Sequence, residues 1–209
     1  MAKKNLRRGI FITFEGIEGC GKSTQSKLLY DHLKTLKRRC VHTREPGGTA
    51  LGEKIRDIIL HSDRVKISDL SELFLFEAAR SQIVKEVISP ALKAGKIVIC
   101  DRFSDATFGY QGYGGKVPLK AIKVLDRIAT GGLKPDLTIL LDLDVATGLE
   151  RARRKGVDRM ERKDMAYHKR VRAGYLKIAR GHGRIKTVKV ADTIEATRRV
   201  VAREVERVI

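Results

Sequence analysis

Eight consecutive residues, Gly16-Ile17-Glu18-Gly19-Cys20-Gly21-Lys22-Ser23, fill every position of the phosphate-binding loop G-x-x-x-x-G-K-[ST]. The chemistry of such a loop is anion capture. Its backbone N–H groups converge on one point, and the dipole of the following helix adds partial positive charge there. Gly16 and Gly21 allow backbone dihedrals that a side chain blocks. Lys22 reaches the outer phosphates of a bound nucleotide, and the hydroxyl of Ser23, with Thr24 behind it, is placed to ligate Mg²⁺. Residues 16–24 therefore predict a nucleoside triphosphate site. Two side chains in the loop leave alternatives open. Glu18 either serves a metal or an acceptor group or points outward as a loop residue. Cys20 is either a thiol acidified by positive surroundings or a small residue filling a tight turn.

Further chemistry lies where other apolar runs end. Ile97-Val98-Ile99-Cys100 is followed by Asp101 and Arg102. An acid ending such a strand is the usual orienter of Mg²⁺ in phosphate-loop enzymes. The adjacent arginine would repel that metal unless turned to a second anion, so Asp101-Arg102 suggests two phosphate-bearing ligands at one edge. Thr43-Arg44-Glu45-Pro46-Gly47-Gly48-Thr49 presents an arginine beside a rigid turn, as a bidentate phosphate donor or as ordinary surface. Arg151-Ala152-Arg153-Arg154-Lys155-Gly156-Val157-Asp158-Arg159 has the makeup of a mobile lid, whose cations would stabilise a transferring phosphoryl group while excluding water. Phe76 and Arg80 share a helix face at i, i+4, with a ring to stack on a base and an arginine to reach its edge or a phosphate; Phe74, and Phe76 taken alone, read as core.

The elements that must position these groups are legible from periodicity. Strand-like runs occur at 10–15, 40–43, 97–100, 137–143 and 185–190, separated by helical patterns at 23–38, 49–61, 69–94, 118–130, 145–155, 162–180 and 193–208. Pro90 is expected to kink or split the third. Alternating strands and helices imply crossover connections, hence an α/β fold with a mainly parallel five-stranded sheet covered by helices on both faces. Ligands in such sheets lie beyond the carboxyl ends of the strands. No repeat or low-complexity linker interrupts the chain, which reads as one domain over 1–209 with a small lid at about 151–162.

Composition narrows the class. No apolar run approaches the ~20 residues of a membrane span, and no secretory signal is visible at the start. Three cysteines without metal spacing (Cys20, Cys40, Cys100) suit a reducing cytoplasm. The net charge of +19 is concentrated late, with 19 Lys/Arg against 7 Asp/Glu in residues 151–209. Solvated helix faces and a phosphate-handling lid account for it better than a nucleic-acid surface.

The segments Phe14-Glu15-Gly16 through Ser23-Thr24, Thr43 to Thr49, Leu73 to Arg80, Asp101-Arg102, Tyr110-Gln111-Gly112-Tyr113-Gly114 and Pro135-Asp136-Leu137 resemble, in order and spacing, the thymidylate kinase family. The likeness covers about residues 10–180. It implies a three-layer phosphate-loop fold and transfer of the ATP γ-phosphoryl to dTMP, giving dTDP for dTTP synthesis, usually by a cytoplasmic homodimer. Lys22 and Ser23 would hold the ATP phosphates and Mg²⁺, with Asp101 near the metal and Glu18 near the transferring group. Arg44 and Arg102 would bind the acceptor phosphate. Phe76 would stack on thymine, Arg80 would contact the base edge, Thr107 and Gln111 would complete the base site, and Tyr110 would pack near the sugar. Gly19 follows Glu18 where some members carry an arginine, so the chain resembles the bacterial, lid-arginine type, with Arg154 or Lys155 as the catalytic lid cation. The chain departs from the pattern in having Lys155 before the lid glycine, a lid one residue short, and Phe103 after Asp101-Arg102. The rivals are another nucleoside monophosphate kinase and a nucleic-acid-binding NTPase; Arg102, in place of a second acid after Asp101, disfavours the latter.

Overall fold

Successive residues of β1 (Ile10–Gly16) enter two different cores. Ile12 and Phe14 pack with Ile97, Ile99 and Ile139 on one face, whereas Phe11 packs with Val98, Cys100 and Phe103 on the other. A strand buried on both faces gains burial energy at every position, about 1.5–3 kcal/mol for each large apolar side chain, so its sequence reads as an unbroken apolar run. The computed structural model describes residues 9–62, 65–154 and 158–209.

The other strands are β2 (Cys40–Arg44), β3 (Ile97–Asp101), β4 (Leu137–Asp142) and β5 (Ile185–Lys189). They join β1 in one sheet of order β2-β3-β1-β4-β5, every pair parallel. Register decides what meets at the carboxyl edge. Phe14 lies opposite Asp101, and Asp101 lies opposite Arg44, so the phosphate loop, the Asp101-Arg102 pair and the 44–49 turn leave the sheet side by side. The chain passes from β1 to one side and from β3 to the other, which opens a crevice at this switch point.

Helices cover both faces: α1 (Lys22–Thr35), α2 (Ala50–His61), α3 (Asp69–Ile83), α4 (Ser89–Lys93), α5 (Ser104–Thr107), α6 (Leu119–Thr130), α7 (Val145–Arg153), α8 (Met165–Arg180) and α9 (Ile194–Glu206). Thr49, Ser68, Asp144, Asp164 and Thr193 cap α2, α3, α7, α8 and α9 with side-chain oxygens, each worth about 1 kcal/mol. Helix α1 starts after Gly21 with no side-chain cap, leaving its first N–H groups to a ligand.

The long 69–94 pattern is split as Pro90 implies. α3 passes into a π-helical turn (Val84–Ile88) before α4, where Pro90 occupies the first turn. Proline has no N–H to donate back, and its ring crowds the carbonyl four residues earlier, so the ladder widens there. One helical segment was not expected. α5 continues as a π-helix over Phe108–Gly114, through the glycine-rich Tyr-Gln-Gly-Tyr-Gly run. Glycine disfavours helix by about 1 kcal/mol per residue. Here close packing wins: a Cβ on Gly114 would sit 2.7 Å from the Tyr167 ring of α8.

Candidate active site

The carboxyl edge opens into a cavity of about 1050 Å³ lined by the phosphate loop, the 44–48 turn, Phe76, Asp101-Arg102, Thr107, Tyr110 and Gln111, the start of the lid and the β5–α9 connection. Pockets for one small molecule run to roughly 300–1,000 Å³, so this one lies at the top of that range. Lys22, Arg44, Arg56, Arg102, Arg151 and Arg154 bring positive charge to its wall.

On the donor side, Gly16 (φ 142°) and Gly21 (φ 92°) adopt the left-handed dihedrals expected of the loop. Lys22 Nζ donates to the Ile17 carbonyl at 3.1 Å, which leaves two ammonium hydrogens for phosphate oxygens. Ser23 Oγ donates to Asp101 Oδ2, while the other carboxylate oxygen of Asp101, Oδ1, is buried without a hydrogen-bond partner among the described residues. A hydroxyl beside a carboxylate with a spare oxygen is a hard donor set of the kind Mg²⁺ prefers. No cluster of three or more His, Cys, Asp or Glu among the described residues could hold a metal alone, so a metal here would need phosphate and water ligands. Cys20 is buried and its thiol is raised by burial, so it fills the turn and is not acidified.

Where the two halves meet, Glu18 points inward, and the outward alternative is excluded. Its Oε1 accepts from Tyr110 OH at 2.5 Å and from Arg102 Nη2 at 3.4 Å, while Oε2 lies 3.2 Å from His168 Nδ1. Burial alone would raise this carboxyl, but His168, Arg102, Lys22 and Tyr110 outweigh it and hold it at about 2. Arg102 has a left-handed φ of 72°, a strained conformation for a residue with a side chain, and its guanidinium also donates to Gly16 O at 3.0 Å, Tyr110 OH at 2.9 Å and Tyr175 OH at 3.3 Å. Such backbone strain persists where surrounding contacts over-determine it, and four do so here.

The acceptor side is built on α3 and the 104–114 helix. Phe76 is half-buried and lines the cavity. Phe74, read from sequence as core, is instead 51% exposed, because two residues further back turns it to the outer face of α3. Gln111 is buried, its amide donating to Glu72 at 2.8 Å, and Thr107 accepts from Arg80 at 2.8 Å. Arg80 is itself 1% exposed and does not line the cavity. Its guanidinium is engaged by Glu45 at 2.8 Å, Glu77 at 2.6 Å and the Phe103 carbonyl at 3.3 Å. Arg44 lines the opening and pairs with Glu53 at 3.0 Å, with the side chain 53% exposed. Phe103 packs edge-on against Phe11 in the core, ring centroids 4.8 Å apart, so an apolar ring fits that position.

The lid cations are separated by structure. Arg154 lines the cavity, is 75% exposed and pairs along α7 with Glu150 at 2.6 Å. Lys155 lies outside the described residues. Arg159 is committed elsewhere, donating to the Ile59 carbonyl at 2.6 Å and to Glu72 at 2.5 Å. Arg153 is exposed and does not line the cavity.

Several participants were missed from sequence. Tyr175 of α8 donates to Glu15 at 2.7 Å, and Phe103 N donates to the other oxygen of that carboxyl at 2.7 Å. Burial, with Asp105 adding, lifts Glu15 to about 8. His168 and Tyr175 sit on an amphipathic helix, where their spacing reads as core. The β5–α9 connection, Val190 to Thr193, lines the end of the cavity beside α1 with no motif to mark it.

An edge that presents an open phosphate loop on one side, a pair of arginines on the other and a buried carboxylate between them suits transfer of a phosphoryl group between two nucleotides. Together with the β2-β3-β1-β4-β5 sheet it defines a phosphate-loop nucleoside monophosphate kinase, a phosphotransferase. The family model for thymidylate kinase matches residues 14–201. Thymidylate kinase of Dehalococcoides mccartyi is 52% identical over 170 residues, covering 81% of this chain and 82% of the relative. That of Roseiflexus sp. is 45% identical over 201 residues, covering 90% and 89%. The crystal structure of thymidylate kinase from Ehrlichia chaffeensis superposes with a TM-score of 0.79 at 34% identity, covering 95% of this chain and 99% of that one. The chain belongs to the thymidylate kinase family.

Proposed function

We infer that this chain phosphorylates dTMP to dTDP with ATP as donor, a step of dTTP biosynthesis. The observation that carries it is the single cavity in which the phosphate loop faces Phe76, Thr107, Gln111 and Arg102. The ATP phosphates take the open N–H groups of α1 and the free hydrogens of Lys22, with the nucleoside toward the β5–α9 connection. Ser23 and Asp101 would hold Mg²⁺, which would neutralise phosphate charge when bound. The dTMP phosphate is taken by Arg44 and Arg102, thymine stacks on Phe76 with Thr107 and Gln111 at its edge, and Tyr110 borders the sugar. Arg80 serves the pocket from behind by fixing Thr107 and Glu45, both of which line it. Glu18 stays ionised beside the transfer path and orients Arg102. The lid cation is Arg154 or Lys155.

Three further features complete this reading. One sheet carries every strand among the described residues, which supports a single domain with its lid at 151–162. Leu51 and Ile58 of α2, Leu70 and Phe74 of α3, and Val124 and Ile128 of α6 are all at least 43% exposed, which supports a homodimer built on these helices. Free cysteines, and the absence among the described residues of any helix long and apolar enough to cross a membrane, are consistent with a cytoplasmic enzyme.

A coupled ATP assay across dTMP, dUMP, AMP, GMP and CMP tests the assignment. If the methyl group of thymine is read mainly by apolar contact, dUMP is worse by about 10–200-fold in kcat/KM, equivalent to about 1–3 kcal/mol. A preference for AMP, GMP or CMP over dTMP would refute it, and DNA-stimulated ATP turnover would favour the NTPase rival.

A further inference from the structure

His168 is 0% exposed, and neither ring nitrogen makes a hydrogen bond of full geometry with any described residue. Core packing alone does not account for an imidazole here. An apolar side chain would fill the same volume without leaving buried polar atoms unpaired. Glu18 Oε2 is the matching orphan. It is buried, lacks a hydrogen bond of full geometry, and is the oxygen that Tyr110 and Arg102 leave unused. The two orphans face each other, Nδ1 to Oε2, at 3.2 Å. That separation is within the reach of an Nδ1–H donating to that oxygen.

The ring is held by its helix. Asp164 caps α8 through Tyr167 N, and the Tyr167 ring stands perpendicular to His168 at 5.4 Å. Seven residues on, two turns along the same face, Tyr175 accepts from Arg102 and donates to Glu15. One face of α8 thus touches both the carboxylate and the arginine at the centre of the cavity.

We propose that His168 is a positioning residue for phosphoryl transfer, its Nδ1–H clamping Glu18 so that Oε1 stays on Tyr110 and Arg102. This rests on the reading of Glu18 and Arg102 as working parts of the site. With one oxygen held, the carboxylate plane still turns; with both held, it is fixed, and so is the arginine it orients. Misalignment by about 1 Å is felt chiefly in the transition state.

The test compares steady-state constants of five variants with thermal unfolding of each. His168→Phe keeps the volume and loses the donor: kcat falls about 10–100-fold while KM for dTMP stays within about threefold. His168→Asn places its amide nitrogen where Nδ1 was and restores most of kcat. His168→Gln places it near Nε2 instead and stays as slow as the Phe variant. If the Phe variant does not fold, the Asn and Gln pair decides the matter alone. In a Glu18→Gln background, His168→Phe causes no further loss. Parent-like kcat in His168→Phe, equal kcat in the Asn and Gln variants, or a lowered melting temperature with kcat unchanged would overturn the clamp. Parent-like kcat in Glu18→Gln alone would overturn the assignment of Glu18, and the clamp with it.

Discussion

Lys22 and Arg102 are the side chains whose chemistry is most exposed to test. Lys22 contributes one bond to its own loop and none to either core, so Lys22→Ala keeps the fold and loses charge aimed at the ATP phosphates. Turnover is expected to fall by about 10²–10³-fold with little change in unfolding temperature. Near-normal turnover would remove Lys22 from the site. Arg102→Ala lowers kcat/KM for dTMP and dUMP by the same factor, because a phosphate contact carries no base information. Unequal losses measured on the two substrates would place Arg102 at the base.

At the scale of elements the lid is the segment to probe, since two of its arginines are held so differently. Arg154 is solvent-facing and free to swing from Glu150 into the cavity. Arg154→Ala should therefore lower kcat with KM for dTMP nearly unchanged, as for an interaction formed mainly in the transition state. Arg159 pins the far side of the lid to the end of α2 and to Glu72, which in turn holds Gln111. Arg159→Ala should instead raise KM for dTMP and cost about 2 kcal/mol in denaturant unfolding, because it leaves a buried carboxylate under-paired. A variant of Lys155 belongs in the same series. If neither the 154 nor the 155 variant loses kcat, the catalytic lid cation lies elsewhere.

For the whole molecule, buried carboxyls set how stability varies with pH. Glu15 binds its proton up to about 8 when folded, against an ordinary value of 4.5. Folding therefore takes up a proton between these limits. The contribution is full below pH 4.5 and is lost as pH rises to about 8, at up to about 1.4 kcal/mol per pH unit. Glu45, raised to about 7 by burial against the pull of Arg80, acts with the same sign. Glu18, held at about 2, acts oppositely, losing its contribution only as pH falls below 4.5, so it is constant across pH 5–8. Urea midpoints from pH 5 to 8 should accordingly fall more steeply in the parent than in Glu15→Gln; parallel curves would show that Glu15 is not protonated in the fold. The assembly is tested separately. If the proposed homodimer forms on α2, α3 and α6, Phe74→Glu combined with Ile128→Glu should shift sedimentation from dimer to monomer, because charge would be buried in an apolar face; a monomeric parent would refute the dimer, and a double variant that stays dimeric would move the interface elsewhere.

The order of residues alone specified the strands, the phosphate loop and the family. Each of these is written locally, in near-continuous apolar runs, in glycine placement and in residue order along one chain. It also placed the break at Pro90, because a missing N–H is a local fact. Which candidates share one cavity was settled by long-range packing. The register of β1, β2 and β3 brings Arg44 and Asp101 into one row. Long-range packing of α8 makes a helix of a glycine-rich segment and turns His168 and Tyr175 toward Glu18 and Arg102. The commitment of Arg80 and Arg159 to buried carboxylates, and the outward turn of Phe74, depend on neighbours far away in the chain. Spacing along a helix says which residues share a face. What that face meets depends on how distant elements pack, and so do the burial and charge that set each group's chemistry.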